Sequence, residues 1–239
     1  VKRFDSIRPY TDSEVQSVLQ QLSTNRDVVK AFISATKFGF LTKIPFSVWI
    51  ASKILQTKIK NIHTINDYQS IFENLVSNMI DTKTSGFTCN GFQNIKPNMS
   101  YLYMSNHRDI TVDPALLNYM LHQNNFKTTN IAVGNNLMSE AWASDLMRLN
   151  KSFIIDRTGK SKREIYQGLN LASEYIEDSI LEKNEPIWIA QKQGRAKDGL
   201  DKTDPALLKM IHLINRKSIP ISDYFNSLCF IPVAVSYEF

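Results

Sequence analysis

The stretch that decides the fold is "YLYMSNHRDITVDPALL", which runs from Tyr101 to Leu117. An apolar run typical of a buried strand ends in Asn-His-Arg-Asp, and Asp113 and Pro114 then open a second apolar stretch. Because proline is favoured in the first turn of a helix, the pattern predicts a strand, a polar turn and a helix. This order of elements predicts that His107 lies in the crevice at the end of a strand.

The chain from Gly86 onward repeats this alternation of short apolar runs and helical stretches. The predicted strands are GFTCNGF (86–92), SYLYMSN (100–106), TTNIAVG (128–134), KSFIIDR (151–157), PIWIAQ (186–191) and CFIPVAVSYEF (229–239). The predicted helices cover residues 114–123, 139–149, 162–182 and 205–216. Strands separated by helices imply crossover connections. The predicted class is therefore α/β, with a largely parallel central sheet flanked by helices and an N-terminal helical region.

The first 82 residues differ from the rest, because their apolar residues follow helical spacing. A helix is expected after Thr11 or Asp12, since Val15, Val18, Leu19 and Leu22 share one face. The segment FSVWIASKILQTKIKNI (46–62) mixes apolar residues with lysines. It is expected either to lie at a membrane interface or to pack on the sheet. We therefore predict an N-terminal helical region over residues 1–82 and a second domain over residues 83–239.

The composition is that of a folded protein with a mild positive charge. Lys and Arg number 28 against 23 Asp and Glu, which gives a net charge of +5 and a pI of about 9.1. This balance favours ligands that carry phosphate, or an anionic membrane surface. Nucleic-acid binding is not expected, because the cations are not interleaved with aromatic residues in one tract.

The sequence was searched for membrane spans, signal peptides and cysteine motifs. No stretch reaches the roughly 18 apolar residues that span a bilayer, and no signal peptide is evident. Cys89 and Cys229 fit no metal spacing, so we expect a reducing, cytosolic setting. Because the sequence starts at Val1 and stops at Phe239 inside a strand-like run, we expect a piece of a longer protein, truncated at the C-terminus.

The polar turn after Tyr101–Ser105 suggests a base. Asp109 and Asp113 follow His107 by two and six residues, and either carboxylate is able to hold Nδ1 while Nε2 acts as a general base. The structural alternative is a polar loop histidine beside an aspartate that caps the next helix. A protein-kinase loop is excluded because Asp113 stands where that pattern needs Asn. No Gly-x-Ser-x-Gly hydrolase motif and no zinc-ligand cluster is present.

Two later strand ends supply cations. FIIDR ends in Arg157, and the run QGRAKDG supplies Arg195 and Lys197 beside Gly194. Glycine lets backbone amides approach an anion closely, and guanidinium groups suit phosphate. Each run taken alone is typical of a solvated loop. Ligands of such sheets bind at the carboxyl ends of the strands. The two cationic runs and His107 together therefore predict a pocket that holds a base and a phosphate site.

Four motifs in order resemble the glycerolipid acyltransferase family, which includes glycerol-3-phosphate and 1-acylglycerol-3-phosphate acyltransferases. The motifs are NHRDITVD, GNNL followed by FIIDR, QGRAKDG and IPVAVSYE, and they cover roughly residues 86–239. The resemblance implies transfer of an acyl group from a thioester to a glycerol hydroxyl. It makes the predicted domain 83–239 the acyltransferase catalytic domain.

The resemblance also implies a role for each site residue. His107 is expected to deprotonate the acceptor hydroxyl, and an aspartate to orient His107. The phosphate group of the acceptor is expected to be bound by Arg157, Arg195 and Lys197. The expected substrate-binding set is completed by Asn106, Arg108 and Gly194.

The sequence departs from the family pattern in two places. The family has four residues between the histidine and the aspartate, whereas five separate His107 from Asp113. Asp109 therefore stays open as the partner of His107. Gln193 also stands where the family has glutamate, which keeps a hydrogen-bonding shape without the charge.

The partners implied by the resemblance are an acyl thioester and a phosphorylated glycerol. The donor is expected to be acyl-CoA or acyl carrier protein, with no metal and no bound cofactor. The acceptor is expected to be glycerol-3-phosphate or lysophosphatidate, in phospholipid synthesis, on the cytoplasmic face of a membrane. Two alternatives stay open: another lysolipid or an amino lipid as acceptor, and a non-catalytic module that binds phospholipid or acyl carrier protein.

Overall fold

The central element of the fold is a parallel sheet. The computed structural model describes residues 3–34, 45–137, 140–196 and 199–237. Its strands are β1 (Leu102–Ser105), β2 (Asn130–Gly134), β3 (Ser152–Ile155), β4 (Ile187–Ala190) and β5 (Phe230–Val233). They lie in the order β3-β2-β4-β1-β5, and every pair is parallel. The predicted α/β class, with its parallel sheet and N-terminal helical region, is confirmed.

Helices connect and precede the strands. In chain order they are α1 (Asp12–Thr24), α2 (Arg26–Ser34), α3 (Pro45–Lys58), α4 (Ile65–Lys83), α5 (Val112–Gln123), α6 (Ala141–Leu149), α7 (Lys162–Glu177), α8 (Pro205–Ile211) and α9 (Ile221–Ser227). A π-helical turn, Asp178–Glu182, continues α7. Among the described residues, no helix combines the length and hydropathy needed to cross a membrane.

The strands are buried on both faces because successive side chains point to opposite sides of the sheet. Leu102 and Met104 of β1 belong to one apolar cluster, and Tyr103 between them belongs to another. In β4, Ile187 and Ile189 join the first cluster. The first cluster also holds residues of α7, α8 and α9, and the second holds Leu121 of α5. Helices thus cover both faces, as the run of apolar residues predicts.

The chain divides into two compact units. The sheet unit comprises residues 1–8, 73–135 and 152–239, and the helical unit comprises residues 9–72 and 136–151. The predicted boundary between residues 82 and 83 falls in the last turn of α4. It stays a prediction about domain organisation.

The helical unit packs around α1. Val15, Val18, Leu19 and Leu22 are buried there together with Leu149 of α6. The periodicity that predicted α1 therefore marks its buried face. The hydroxyl of Tyr10 donates a hydrogen bond to Asp145 Oδ1 at 2.6 Å within the same unit.

The predicted strand at 86–92 is wrong. These residues are irregular, and the backbone of Gly91 has φ +103°, which a strand does not accommodate. Most of their side chains, including that of Cys89, are exposed, so the segment has no buried face to hold it in a sheet. The predicted helix 205–216 is also too long, since α8 ends at Ile211.

Candidate active site

The carboxyl ends of the parallel strands share one edge of the sheet, and His107 lies there directly after β1. Its Nδ1 lies 3.0 Å from Oδ2 of Asp113, in the first turn of α5. Asp113 is fully buried and His107 retains 9 % exposure. The rings of His107 and Trp188 form a T-shaped pair with centroids 6.3 Å apart. His107 is therefore in contact with both a buried carboxylate and the ring of Trp188.

The Asp113 carboxylate has four hydrogen-bond partners. Oδ2 faces His107 Nδ1 and accepts from the backbone N–H groups of Arg108 (2.7 Å) and Asp109 (2.9 Å). Oδ1 accepts from the hydroxyl of Tyr237 at 2.8 Å. Burial alone raises the pKa of this carboxyl, but the hydrogen bonds outweigh it and the net pKa is lowered. Since an ionised carboxylate only accepts, the Nδ1 atom of His107 carries a proton and Nε2 is left as the basic atom.

Asp109 has a different role in the fold. Its Oδ1 accepts from the backbone N–H groups of Thr111 and Val112 at 2.8 and 2.9 Å, which caps the start of α5. The turn 108–111 takes up the additional residue between His107 and Asp113. Of the two carboxylates left open by the sequence, Asp113 is the one that bonds the imidazole.

Asn106 and Arg108 are both engaged with protein groups. The Asn106 amide donates to the carbonyl of Val235 and accepts from its N–H, both at 2.8 Å. The guanidinium of Arg108 contacts Asp201 Oδ2 at 2.6 Å, and this carboxylate also accepts from Asn106 Nδ2 at 3.3 Å. The two residues predicted to bind substrate thus tie β1 to the chain after β5 and to the loop after β4.

The end of β3 brings Arg157 to the same edge of the sheet. Its Nη1 donates to Gln193 Oε1 at 2.8 Å, which links the ends of β3 and β4. Burial lowers the pKa of this guanidinium and Asp204 opposes that effect, and the group remains a cation. Gly168 of α7 permits this position, because a Cβ there would lie 2.5 Å from the carbonyl oxygen of Asp156.

The loop after β4 lies against the histidine segment. The backbone N–H of Ala196 donates to the carbonyl of His107 at 2.8 Å, which places Arg195 beside the histidine turn. Gly194 has φ +76°, a conformation that favours glycine, and both it and Arg195 are exposed. The structure therefore places His107, Asp113, Arg157 and Arg195 at the same edge of the sheet. Lys197 lies outside the described residues.

Two residues of the site, Tyr237 and Asp201, were not predicted from the sequence. Tyr237 lies within the motif IPVAVSYE, and the pairing of β5 with β1 carries the chain beyond Val233 toward Asn106. Strand adjacency was the signal for Tyr237, since neighbouring parallel strands deliver their ends to one place. For Asp201, no local pattern points to its contact with Arg108.

The arrangement suits removal of a proton from a hydroxyl group next to an anion. His107 has a carboxylate that stabilises its charged form, and two arginines follow the ends of β3 and β4 at the same edge of the sheet. Across the ranges that the structure describes, no group of three or more His, Cys, Asp or Glu side chains is placed to hold a metal ion.

Comparison with known families finds a match that spans the His107 segment and the ends of β3 and β4. A family model described as Acyltransferase matches residues 86–205, which are 120 of the 239 residues. No curated protein matches the chain.

Proposed function

The chain belongs to the acyltransferase family of the glycerol-3-phosphate and 1-acylglycerol-3-phosphate type, and on this premise we propose its substrates. The donor is a fatty acyl thioester, either acyl-CoA or acyl carrier protein. The acceptor is a hydroxyl of glycerol-3-phosphate or lysophosphatidate, and the reaction serves phospholipid synthesis. The observation that carries the proposal is the His107–Asp113 hydrogen bond at a sheet edge that also receives two guanidinium groups.

His107 acts as the general base of this reaction. Its Nε2 takes the proton of the acceptor hydroxyl while the hydroxyl oxygen attacks the thioester carbonyl carbon. The C–O bond forms, the C–S bond breaks, and the leaving thiolate takes the proton from the imidazolium. Asp113 stabilises the imidazolium and holds the Nδ1–H tautomer, so the base is oriented before the acceptor arrives.

The cations fix the acceptor. Arg157 and Arg195 bind its phosphate, and Lys197 joins them by the sequence prediction. Holding the charged end of a small acceptor places its hydroxyl near the base, which converts a bimolecular encounter into an oriented one. No metal and no bound cofactor takes part in this scheme. We place the enzyme on the cytoplasmic face of a membrane, as a peripheral protein, because its lipid substrates and products reside there.

The test is a thioester-consumption assay on the purified protein, with acyl-CoA or acyl carrier protein as donor. Each donor is paired with glycerol-3-phosphate or lysophosphatidate, and mass spectrometry identifies the lipid formed. We expect His107→Ala to lose about 10²- to 10⁴-fold in kcat, since a general base contributes that much. His122→Ala is the matched control, because His122 pairs with Glu73 at 3.2 Å in the same unit away from the strand ends. Equal rates for His107→Ala and the parent would refute the proposed base.

One observation favours an alternative, because Gln193 replaces the family glutamate and is compatible with a non-catalytic module that binds phospholipid or acyl carrier protein. In that case vesicles or carrier protein bind and no acceptor is turned over. If turnover occurs but Arg195→Ala binds the acceptor as well as the parent does, the acceptor is another lysolipid or an amino lipid without the expected phosphate contact.

A further inference from the structure

Helix α3 is apolar on two opposite sides, and only one side is needed for the fold. Its inner side packs into the helical unit through Val48, Ala51 and Leu55. At its end, Gln16 Nε2 donates to the carbonyl of Ile59 at 3.0 Å, and Ser52 bonds the carbonyl of Ser23 at 2.7 Å. The helix is therefore held firmly with a defined side turned outward.

The outer side of α3 exposes large apolar side chains. With helical spacing it carries Phe46 (64 % exposed), Trp49 (57 %), Ile50 (43 %) and Ile54 (47 %). The rings of Phe46 and Trp49 stack with centroids 5.3 Å apart. We call these four residues the α3 outer face. A contiguous apolar patch of this kind marks an interaction site rather than the scatter of single exposed residues found on ordinary surfaces.

The charged residues of the chain segment that contains α3 have one sign. Residues 28–66 contain six lysines and no aspartate or glutamate, so this segment alone exceeds the net charge of the whole chain, which is +5. Lys53 follows Trp49 by one turn of α3 and Lys58 follows Ile54 by one turn, and both lysines are exposed. Lysine stems lie along apolar surface while their ammonium groups reach phosphate, and tryptophan prefers the boundary between headgroups and acyl chains.

We propose that the α3 outer face is a docking surface for an anionic lipid bilayer. Phe46 and Trp49 enter the headgroup–acyl boundary, and Lys53 and Lys58 contact lipid phosphates. The inference deepens the proposed function by naming the residues and the lipid charge class for its membrane association. It is independent of catalysis, because every residue of the face lies in the helical unit.

The first test is vesicle flotation of the full chain without acyl donor or acceptor. Vesicles are phosphatidylcholine alone or phosphatidylcholine with about one third phosphatidylglycerol. We expect at least tenfold stronger binding to the anionic vesicles, and weaker binding as salt increases. The double variant Phe46→Ser/Trp49→Ser should lose about tenfold or more, and Lys53→Gln/Lys58→Gln should lose the preference for anionic lipid. Leu181→Ser/Ile221→Ser is the control, because those side chains are similarly exposed (45 and 44 %) in the other unit.

The second test follows Trp49 directly in the unmodified protein. Vesicles with brominated acyl chains should quench its fluorescence, and Trp49→Phe should still float but lose the quenching. Failure of the parent to float, or equal flotation of the Phe46→Ser/Trp49→Ser and control variants, overturns the proposal. Because the assay contains no substrates, an active enzyme that does not float refutes the docking surface alone, and an inactive one that floats refutes only the acyl-transfer proposal.

A second inference rests on Tyr237. Both oxygens of Asp113 are occupied, Oδ2 by His107 and two backbone amides and Oδ1 by the Tyr237 hydroxyl at 2.8 Å. Tyr237 is held in turn by the double hydrogen bond between Asn106 and Val235, two residues earlier. We infer that Tyr237 is a positioning residue that fixes the Asp113 carboxylate behind His107.

The test compares two tyrosine–aspartate pairs. Tyr237→Phe should lower kcat about tenfold with KM unchanged. It should also move the acid limb of the pH–rate profile to higher pH, because a carboxylate that loses a donor attracts the imidazolium proton more strongly. Tyr10→Phe removes the corresponding hydrogen bond to Asp145 in the helical unit and should change neither quantity.

A readout without turnover separates this inference from the proposed reaction. Long-range nitrogen–proton NMR should show the Nδ1–H tautomer of His107 in the parent, and the imidazolium signal of His107 should persist to higher pH in Tyr237→Phe. An unchanged NMR signal and pH profile in Tyr237→Phe, even with a lowered Tm, would mean that the residue is only structural and would overturn the inference.

Discussion

The carboxyl ends of β1 and β4 are neighbours in the sheet, yet they are built in opposite ways. After β1, the His107 imidazole and the Asp113 carboxylate are buried, and Asp113 has four hydrogen-bond partners. After β4, Gln193, Gly194 and Arg195 are exposed. The base is thus preorganised by buried contacts, whereas the loop that we propose binds the acceptor phosphate exposes its side chains to solvent.

Because of this difference, we expect mutations after β1 to change kcat and mutations after β4 to change KM. Groups that are fixed before binding act on the chemical step, so their loss should lower kcat. Exposed cations that contact a remote part of the acceptor contribute to binding in the ground and transition states alike, so their loss should raise KM. The comparison fails if substitutions at the two strand ends have the same kinetic signature.

The largest effect is expected for Asp113→Asn. The amide cannot stabilise the imidazolium and favours the wrong tautomer, so kcat should fall about 10²- to 10⁴-fold. Asp109→Asn is the matched control, because it leaves the His107 contact intact and alters only the cap of α5. Steady-state kinetics of both variants measure the contrast, and a larger loss for Asp109→Asn would reverse the assignment.

The same carboxylate should govern stability in acid. Because the pKa of Asp113 is lower in the folded chain, it contributes stability above about pH 4, the unfolded value, and loses it as the pH falls through the folded value. At pH 7, Asp113→Asn should lower the free energy of unfolding by about 1–3 kcal/mol, the cost of poorly paired buried donors. Urea unfolding at pH 7 and at pH 3 checks this. A difference between parent and variant that does not shrink in acid would contradict it.

The sequence predicts the sheet well because strand burial and crossover length are local signals. The runs around Tyr103 and Trp188 are apolar on both faces, as strands covered by helices must be, and both form the strands expected. The run at 86–92 has the same length and aromatic content as the run at 100–106, but it does not form a strand. Its prediction needed tertiary information, because only packing decides whether an alternating run has a surface to cover.

The sequence predicts those site residues that follow the carboxyl ends of parallel strands, because these ends lie at one edge of the sheet. That rule brings His107, Arg157 and Arg195 to one edge from three separate motifs. It does not decide between Asp109 and Asp113, since that choice depends on how the turn 108–111 distributes its backbone N–H groups. It also does not reveal the Asp201 contact, which joins residues 93 positions apart.

Arg195→Gln tests the exposed loop after β4. With glycerol-3-phosphate or lysophosphatidate, KM should rise about tenfold while kcat changes less than about threefold, because one charge-assisted phosphate contact is lost. With a neutral acceptor of the same shape that lacks the phosphate, the variant and the parent should have the same KM. Lys217→Gln, an exposed cation of the same unit that is outside the site, controls for net charge. A fall in kcat at constant KM would show that this loop acts on the chemical step as β1 does.

The smallest effect is expected where the end of β4 is joined to the end of β3. Gln193→Glu replaces the amide that accepts from Arg157 Nη1 with a carboxylate, so the contact becomes an ion pair. Exposed pairs contribute about 0.2–1 kcal/mol, so the Tm should rise only slightly. The added negative charge also offsets part of the field that Arg157 directs at a phosphate, so KM should rise by less than about threefold with kcat unchanged. Kinetics with a phosphorylated acceptor measure both. A gain in kcat of tenfold or more would show that the charge of this side chain belongs to the catalytic step, and that glutamine at this position limits the rate of the protein.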